Sequence, residues 1–384
     1  MIERLTCTVM PYAWGSKTAI AGLCGRPPAA EPEAELWIGA HPMAPSKIGE
    51  QGLDQVVGAD PERALGKASL AAFGPRLPFL MKVLAAAEPL SLQAHPSLEQ
   101  AQRGFAADEA KGIARDAPNR NYRDDQHKPE LLCALTPFDA LCGFRDVKAT
   151  LPLLDSLDVA GLAPLVAPLR ASLDRQGLAD SFRAIMAKAD ARLVEQVVER
   201  AAKLGGELAL APKLAALYPG DAGIVSALLL NQVHLAPGEA IYLDAGNLHA
   251  YLEGTGVEIM ASSDNVLRGG LTKKHMDLPE LVSVLDFAFG PVSPLRPDAE
   301  GVYRTPAREF LLSVVQPAAP VTLHPAGPEI LLCTEGTAEL VSDGFTTVLE
   351  QGACAFVAAS TPAFVVTAAK GAPTPTVYRA TVNL

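Results

Sequence analysis

The chemistry of this 384-residue chain gathers in four short stretches: Gln93-Ala94-His95, His127-Lys128-Pro129-Glu130, Asn247-Leu248-His249, and Glu258 through Arg268. Imidazole, carboxylate and amide oxygen together make a mixed ligand set suited to zinc or a similar divalent ion. Along a strand, residues i and i+2 project from one face, so Gln93 and His95 point together. Glu130 and His249 can complete the set. Pro129 favours an extended backbone before it. Lys128 and Glu130 then share a face, and His127 opposes them. Glu130 is the preferred ligand, with His127 left open beside it. A lysine close to a divalent cation tends toward a lowered pKa, which suits Lys128 to proton transfer.

The stretch from His249 to Met260 adds a second constraint. Glu253-Gly254-Thr255-Gly256 reads as a two-residue hairpin loop, a type II′ turn with Gly254 at its first central position. In that register Tyr251 pairs with Glu258, and cross-strand partners share a face. His249, Tyr251 and Glu258 all look inward, where polar groups are costly unless they meet metal, water or ligand. A one-residue slip would turn Glu258 to the other face. Each residue also has a plain structural reading: Glu258 on a solvated face, His249 as a satisfied core histidine, Lys128 as a solvated lysine. Their coincidence with Gln93, His95 and Glu130 argues for a cavity. Arg268, followed by Gly269-Gly270, offers a guanidinium to a phosphate or oxyanion at a point where backbone can approach closely. Lys82 and Ser91 add to this anion pocket, whereas Lys273-Lys274 reads as an exposed pair. No glycine-rich nucleotide loop ending in Lys-Ser or Lys-Thr occurs.

Ligands from such distant segments require a barrel or sandwich interior to bring them together. Pro78 through Leu84 and Glu130 through Leu135 read as buried strands. Between them, Ser97 caps a helix that runs through Phe105 toward Lys111 and stops at Gly112. From 147 to 230 the pattern is helical. Phe182, Ile185 and Met186 share one face, as do Leu193, Val197, Ala201 and Leu204. Gly205-Gly206 ends the second of these helices, and Asp221 caps another through Ile224, Leu228 and Leu229. Strand patterning returns after Leu235 in the rhythm of a double-stranded β-barrel. It recurs more faintly around 329–336 and 349–357, beyond the proline-rich connection at 291–297. The only histidine of that last part, His324, has no partner, so a metal-free repeat is expected. The expected fold is mainly β with a helical insertion: two jelly-roll β-barrels plus an α-helical domain. A catalytic unit takes 1–146 and 231–290, with a helical interruption near 97–120. The helical insertion takes 147–230 and the second jelly roll 291–384.

A formal net charge of -11 excludes a nucleic-acid partner, which would need an excess of Lys and Arg. The amino terminus carries charges where a secretory signal has its apolar region. No apolar run reaches the roughly 18 residues needed to span a membrane. Six cysteines without CxxC spacing read as buried reduced thiols in a cytoplasmic protein.

Several motifs resemble those of type I mannose-6-phosphate isomerases, in that family's order, over about residues 10–280. They are Tyr12-Ala-Trp14-Gly-Ser16, Glu35-Leu-Trp-Ile-Gly39, Gln93-Ala-His95-Pro96, Tyr122 through Glu130, Phe138 through Arg145, Ala245 through Tyr251, and Glu258 through Thr272. The last third is similar in architecture only. The resemblance implies a cupin with one zinc per chain that interconverts mannose 6-phosphate and fructose 6-phosphate. It makes Gln93, His95, Glu130 and His249 the zinc ligands, and Arg268 the catalytic arginine. Trp14, Lys82, Ser91, Lys128, Tyr251 and Glu258 match pocket positions, and Asp264 is placed with the substrate-binding residues. The implied reaction moves a proton between C2 and C1 through a cis-enediol. Glu258 or Lys128 carries it, and Glu258 is favoured because a nearby cation keeps a carboxylate anionic. Two other classes fit a metal-binding cupin: a sugar-phosphate sensor without turnover, and an oxygenase, which would prefer a histidine-rich set around iron. A monomer acting on a small sugar phosphate is the working expectation.

Overall fold

The computed structural model describes residues 2–384. The strands that matter for the site are β1 (Ile2–Leu5), β2 (Thr8–Met10), β3 (Glu35–Ile38), β4 (Phe79–Ala86), β5 (Gln93–Ala94), β6 (Glu130–Ala134), β7 (Phe138–Phe144), β8 (Leu230–Leu235), β9 (Ala240–Leu243), β10 (His249–Ala261) and β11 (Leu267–Arg268). All but β1 belong to one ten-stranded antiparallel sheet. Its organiser is β10. The first half of β10 pairs with β5 and β7, and the second half pairs with β4 and β6.

Every residue of β4 and β6 is buried, because both faces of these strands are covered. On β4, Phe79, Met81, Val83 and Ala85 join a core shared with Ile330, Leu332, Phe356 and Tyr378 of the last third of the chain. The alternate residues Leu80, Lys82, Leu84 and Ala86 face the interior of the ten-stranded sheet. In β6, Leu131 and Cys133 go to the shared core, while Glu130, Leu132 and Ala134 turn inward. The site's charged residues therefore occupy positions of an apolar alternation. Sequence periodicity alone does not distinguish the two faces.

The last third forms a six-stranded and a four-stranded sheet that enclose a second core around Leu331, Leu340, Phe364 and Val366. The six-stranded sheet includes β1, which pairs with Cys354–Val357. The expected unit 1–146 thus gives up its first strand to the carboxy-terminal sheet, where an edge was available for pairing.

Between Val147 and Ala227 the regular elements are all helices. The helix Leu98–Ala110 has Ser97 as its cap in a capping box with Gln100. Helices Arg175–Lys188 and Ala191–Leu204 bury the expected faces, although Leu204 in the final turn is exposed. Asp221 accepts from the Gly223 amide, but the helix that follows is short, Gly223–Ala227. No helix is long and apolar enough to cross a membrane.

The expected hairpin at Gly254 does not form. β10 runs unbroken through 254–256, and a register irregularity lies between Tyr251 and Glu253. In its first half the odd residues His249 and Tyr251 face inward. In its second half Val257 and Ile259 join the shared core, leaving Glu258 and Met260 inward. The irregularity swaps the faces, so Glu258 reaches the same interior as Tyr251 without a turn. The glycines serve close approach instead. A Cβ on Gly254, at φ 131°, would lie 2.6 Å from the Phe138 ring, and one on Gly256 would lie 2.8 Å from the Cys133 carbonyl oxygen. Gly254→Ala is expected to destabilise the protein by roughly 1–3 kcal/mol through strain and this clash, read as a lowered urea midpoint. An unchanged midpoint would show that β10 tolerates a side chain there.

Candidate metal centre and active site

The centre is built where the two halves of the ten-stranded sheet meet on β10. His249 opposes Gln93 of β5 and Cys142 of β7, while Met260, farther along, opposes Glu130 of β6. His95 follows two residues after Gln93. Glu130 Oε2 lies 3.3 Å from His95 Nε2 and 3.4 Å from His249 Nε2, and the three ligand atoms fall within 4.8 Å of one another. The Gln93 amide reaches His249 Nε2 at 3.3 Å. All three of His95, Glu130 and His249 are buried.

The tautomers are set from behind. His95 Nδ1 lies 2.7 Å from the Asn265 carbonyl oxygen, and His249 Nδ1 lies 3.0 Å from that of Asn247. A carbonyl only accepts, so each Nδ1 carries the proton and each Nε2 turns a lone pair toward Glu130. His95 Nε2 and Glu130 Oε2 are buried without a hydrogen-bond partner. Lone pairs converging on one point, otherwise unsatisfied, suit a cation and would be costly without one. The donor set fits a divalent metal such as zinc.

The second carboxylate oxygen, Glu130 Oε1, receives Lys128 Nζ at 2.8 Å. Burial alone would raise the Glu130 carboxyl, but the Lys128 ammonium holds it well below the usual carboxylate range. Burial pushes the His95 imidazole down to about 4, against the attraction of Glu130.

A second charged group lies farther along the same interior. Lys82 Nζ donates to Glu258 Oε2 at 3.0 Å and sits 3.4 Å from Glu35 Oε1. Trp37 Nε1 donates to Glu35 Oε2 at 2.7 Å, and the Trp37 ring lies 5.5 Å from the ammonium. Burial opposes the charge on Lys82, but Glu258 and Glu35 outweigh it and raise its pKa. Burial raises Glu258, with Lys82 pulling the other way. The Tyr251 hydroxyl, buried in the same interior, has no hydrogen bond of good geometry.

Arg268 stands opposite Gln93 in the β5–β11 ladder. It is half-buried, and burial and the neighbouring Arg123 both lower its pKa. Lys274 is depressed by burial, Arg268 and Arg123 in turn. Lys273 and Lys274 are exposed, as their sequence suggested, yet Lys274 stands in the field of two arginines. Trp14 and Ser91 are half-buried; Trp14 packs near Tyr251. Asp264 Oδ2 has His41 Nε2 at 3.4 Å. His127 is excluded from the ligand cluster, since its Nε2 meets Glu309 at 2.8 Å.

Sequence reasoning missed Asn265 and Glu35. Asn265 is fully buried; its side chain bonds the backbone of Arg123, Asp124 and Gln126, while its carbonyl orients His95. Its signal, a polar Ser-Asp-Asn run directly after a site strand, was weak. Glu35 stood in a quoted motif, but only the fold sets it beside Lys82. All six cysteines are free thiols, four of them buried.

The chain is similar in sequence and fold to proteins of one family. A family model described as phosphomannose isomerase type I, catalytic domain, matches residues 2–147. The chain is 39% identical over 375 residues to mannose-6-phosphate isomerase of Escherichia coli (strain K12), covering 94% of this chain and 95% of that protein. It is 33% identical over 381 residues to the Homo sapiens mannose-6-phosphate isomerase, covering 87% of each. A crystal structure of mannose 6-phosphate isomerase bound with zinc and yttrium matches with TM-score 0.93 and 37% identity over the whole of both chains. The apo form from Salmonella typhimurium matches with TM-score 0.93 and 37% identity, over 100% of this chain and 99% of that one.

The depressed His95 makes the metal-free protein sensitive to acid. Its folded pKa, about 4, lies below the ordinary 6.5, so the unfolded chain binds more protons between those values. Stability therefore falls as pH drops from 6.5 toward 4, by roughly 3 kcal/mol over the full window. In chelator-treated protein, urea unfolding at pH 7 and pH 4.5 is expected to show this loss, and His95→Gln should remove it. Equal pH dependence in the two proteins would count against a neutral His95.

Proposed function

The chain belongs to the type I mannose-6-phosphate isomerases, which are aldose–ketose isomerases, and on that footing we propose that the His95–Glu130–His249 centre, with Gln93, holds one zinc ion. The observation that carries this reading is the pair of buried atoms, His95 Nε2 and Glu130 Oε2, that face His249 with no other partner. Bound zinc would supply Lewis acidity, polarising the sugar's carbonyl and hydroxyl oxygens. We read the ten-stranded sheet as the catalytic cupin, the helices between 147 and 230 as an insertion, and the carboxy-terminal sheets as a metal-free cupin-like repeat. Free thiols throughout suit a reducing, cytoplasmic setting.

Interconversion of mannose 6-phosphate and fructose 6-phosphate moves one proton between C2 and C1, through a cis-enediol. Glu258 is the proton carrier in this reading. Its carboxyl is raised by burial, toward the pH where a base both accepts and returns a proton readily. Lys82, fixed between Glu258 and Glu35, balances the charge of that carboxylate and positions it. Lys128 is engaged with Glu130, which suits it better to stabilising charge on a sugar oxygen than to taking a proton. Lys82 is saturated by two carboxylates and is a poor phosphate partner. Arg268, with Arg123 and Lys274 nearby, is the better seat for the substrate's anionic groups, because guanidinium binds phosphate in a fork. Trp14, Ser91, Tyr251 and Asp264 complete the pocket wall.

Isomerase activity on mannose 6-phosphate should disappear with a chelator and return with zinc. Glu258→Gln should lower kcat by about 10²–10⁴-fold, the usual range for a lost general base, while zinc content stays near one per chain. Solvent-deuterium exchange into the sugar at the wild-type rate in Glu258→Gln would move the proton transfer to another residue. Bound zinc without turnover in the wild type would remove the isomerase reading itself.

A further inference from the structure

We propose that Glu309, in the carboxy-terminal third, is a positioning residue of the catalytic site: through His127 it fixes the segment that carries Lys128 and Glu130. The proposal rests on the isomerase reading above.

The segment Gln126–Glu130 has an unusual support. The Gln126 carbonyl accepts from Ser263 Oγ and Asn265 Nδ2, and the Pro129 carbonyl accepts from the Ala261 amide. Between these anchors, neither His127 nor Lys128 makes a backbone hydrogen bond among the described residues. The two residues are held by their side chains. Lys128 Nζ reaches inward to Glu130 Oε1 at 2.8 Å, and His127 Nε2 reaches the other way to Glu309 Oε1 at 2.8 Å. The extended backbone before Pro129 makes these directions opposite. The segment is a short beam clamped from both faces.

Glu309 is a fixed point. Its neighbours Ala307 and Phe310 are buried in the core shared by the two halves of the molecule. Asn383 donates from its side chain to the Thr305 and Ala307 carbonyls and from its amide to that of Arg308. Glu309 Oε2 is buried without a partner, so among the described residues the carboxylate's only side-chain hydrogen bond is the one to His127. Burial raises this carboxyl, and His127 brings it below the usual range, so it is a carboxylate at neutral pH. Removing it frees His127 to rotate and lets Lys128 move relative to Glu130. A displacement on the order of 1 Å in such a group commonly costs about 10²-fold in rate.

The test compares Glu309→Ala, Glu309→Gln and His127→Ala, alone and combined. Glu309→Ala is expected to lower kcat about 10-fold or more, with KM for mannose 6-phosphate little changed. Zinc should also pass faster to a chromophoric chelator, because Glu130 loses its support. Glu309→Gln keeps an acceptor for His127 and should recover most of kcat and the slow zinc release. The Glu309→Ala/His127→Ala double variant should lose no more than either single variant, since both cut one strut. Wild-type kcat and zinc release in Glu309→Ala would overturn the proposal. So would additive losses, or a kcat loss that merely follows a fall in folded fraction. If the wild type itself lacked turnover, the isomerase reading would fail, while zinc release would still decide whether the strut exists.

Discussion

Everything in this structure is arranged around one carboxylate that water cannot reach. Glu130 is buried, and an isolated carboxylate in such a place would take up a proton rather than bear the desolvation cost. Here Lys128 takes one oxygen, while His95 and His249 face the other. None of these partners is a sequence neighbour on one regular element. Lys128 precedes β6, His95 follows β5, and His249 opens β10. Holding them within hydrogen-bonding distance of one another requires those three segments to be adjacent, and β10 makes them so by pairing with both β5 and β6.

Charge balance in the interior links this constraint to the reaction. Glu35, Glu130 and Glu258 are buried against Lys82 and Lys128, which leaves the lining one negative charge in excess. A divalent cation at the ligand cluster reverses that sign. The interior then favours a bound anion, and the arginine opposite Gln93 extends the favourable field to the edge of the site. In the proposed reaction the enediolate and the phosphate are both anionic, so one electrostatic arrangement would serve binding and the developing charge alike. The ion pairs divide the work. Lys128 is tied to Glu130 and Lys82 to Glu258, which keeps two carboxylates of similar chemistry in different protonation environments.

How much of this was legible in the sequence depended on whether a residue's role is set by its own segment. Gln93 and His95 declare a common face through their spacing, and the Pro129 rule correctly set Lys128 with Glu130 and His127 opposite. Ser97 announced its helix through a cap, and Gly205 ended another by its positive φ. Gly254 misled, because a glycine needed for a turn and a glycine needed for contact with Phe138 look identical in one dimension. The inward position of Glu258 was reached through a hairpin that is absent, and it depends instead on a register irregularity that no local pattern marks. Asn265, Glu35 and Glu309 were invisible for a shared reason. Each acts on a partner through the fold, and none has a ligand-type spacing of its own.

The same distinction accounts for the last third of the chain, whose one histidine is His324. β4, β6 and the second half of β10 place alternate apolar residues against Ile330, Leu332, Phe356 and Tyr378. Without that cover, Phe79, Met81, Val83, Leu131, Val257 and Ile259 would meet water on the back of the strands that hold Lys82, Glu130 and Glu258. Burial of such side chains is worth about 1.5–3 kcal/mol each, so the loss would exceed the few kcal/mol by which a domain is ordinarily stable. β1, donated by the opposite end of the chain, ties the carboxy-terminal sheet to the catalytic one before the first site residue is reached. The last third is therefore the outer wall behind the strands that carry the candidate site. It keeps the polar interior from water by burying those strands from behind.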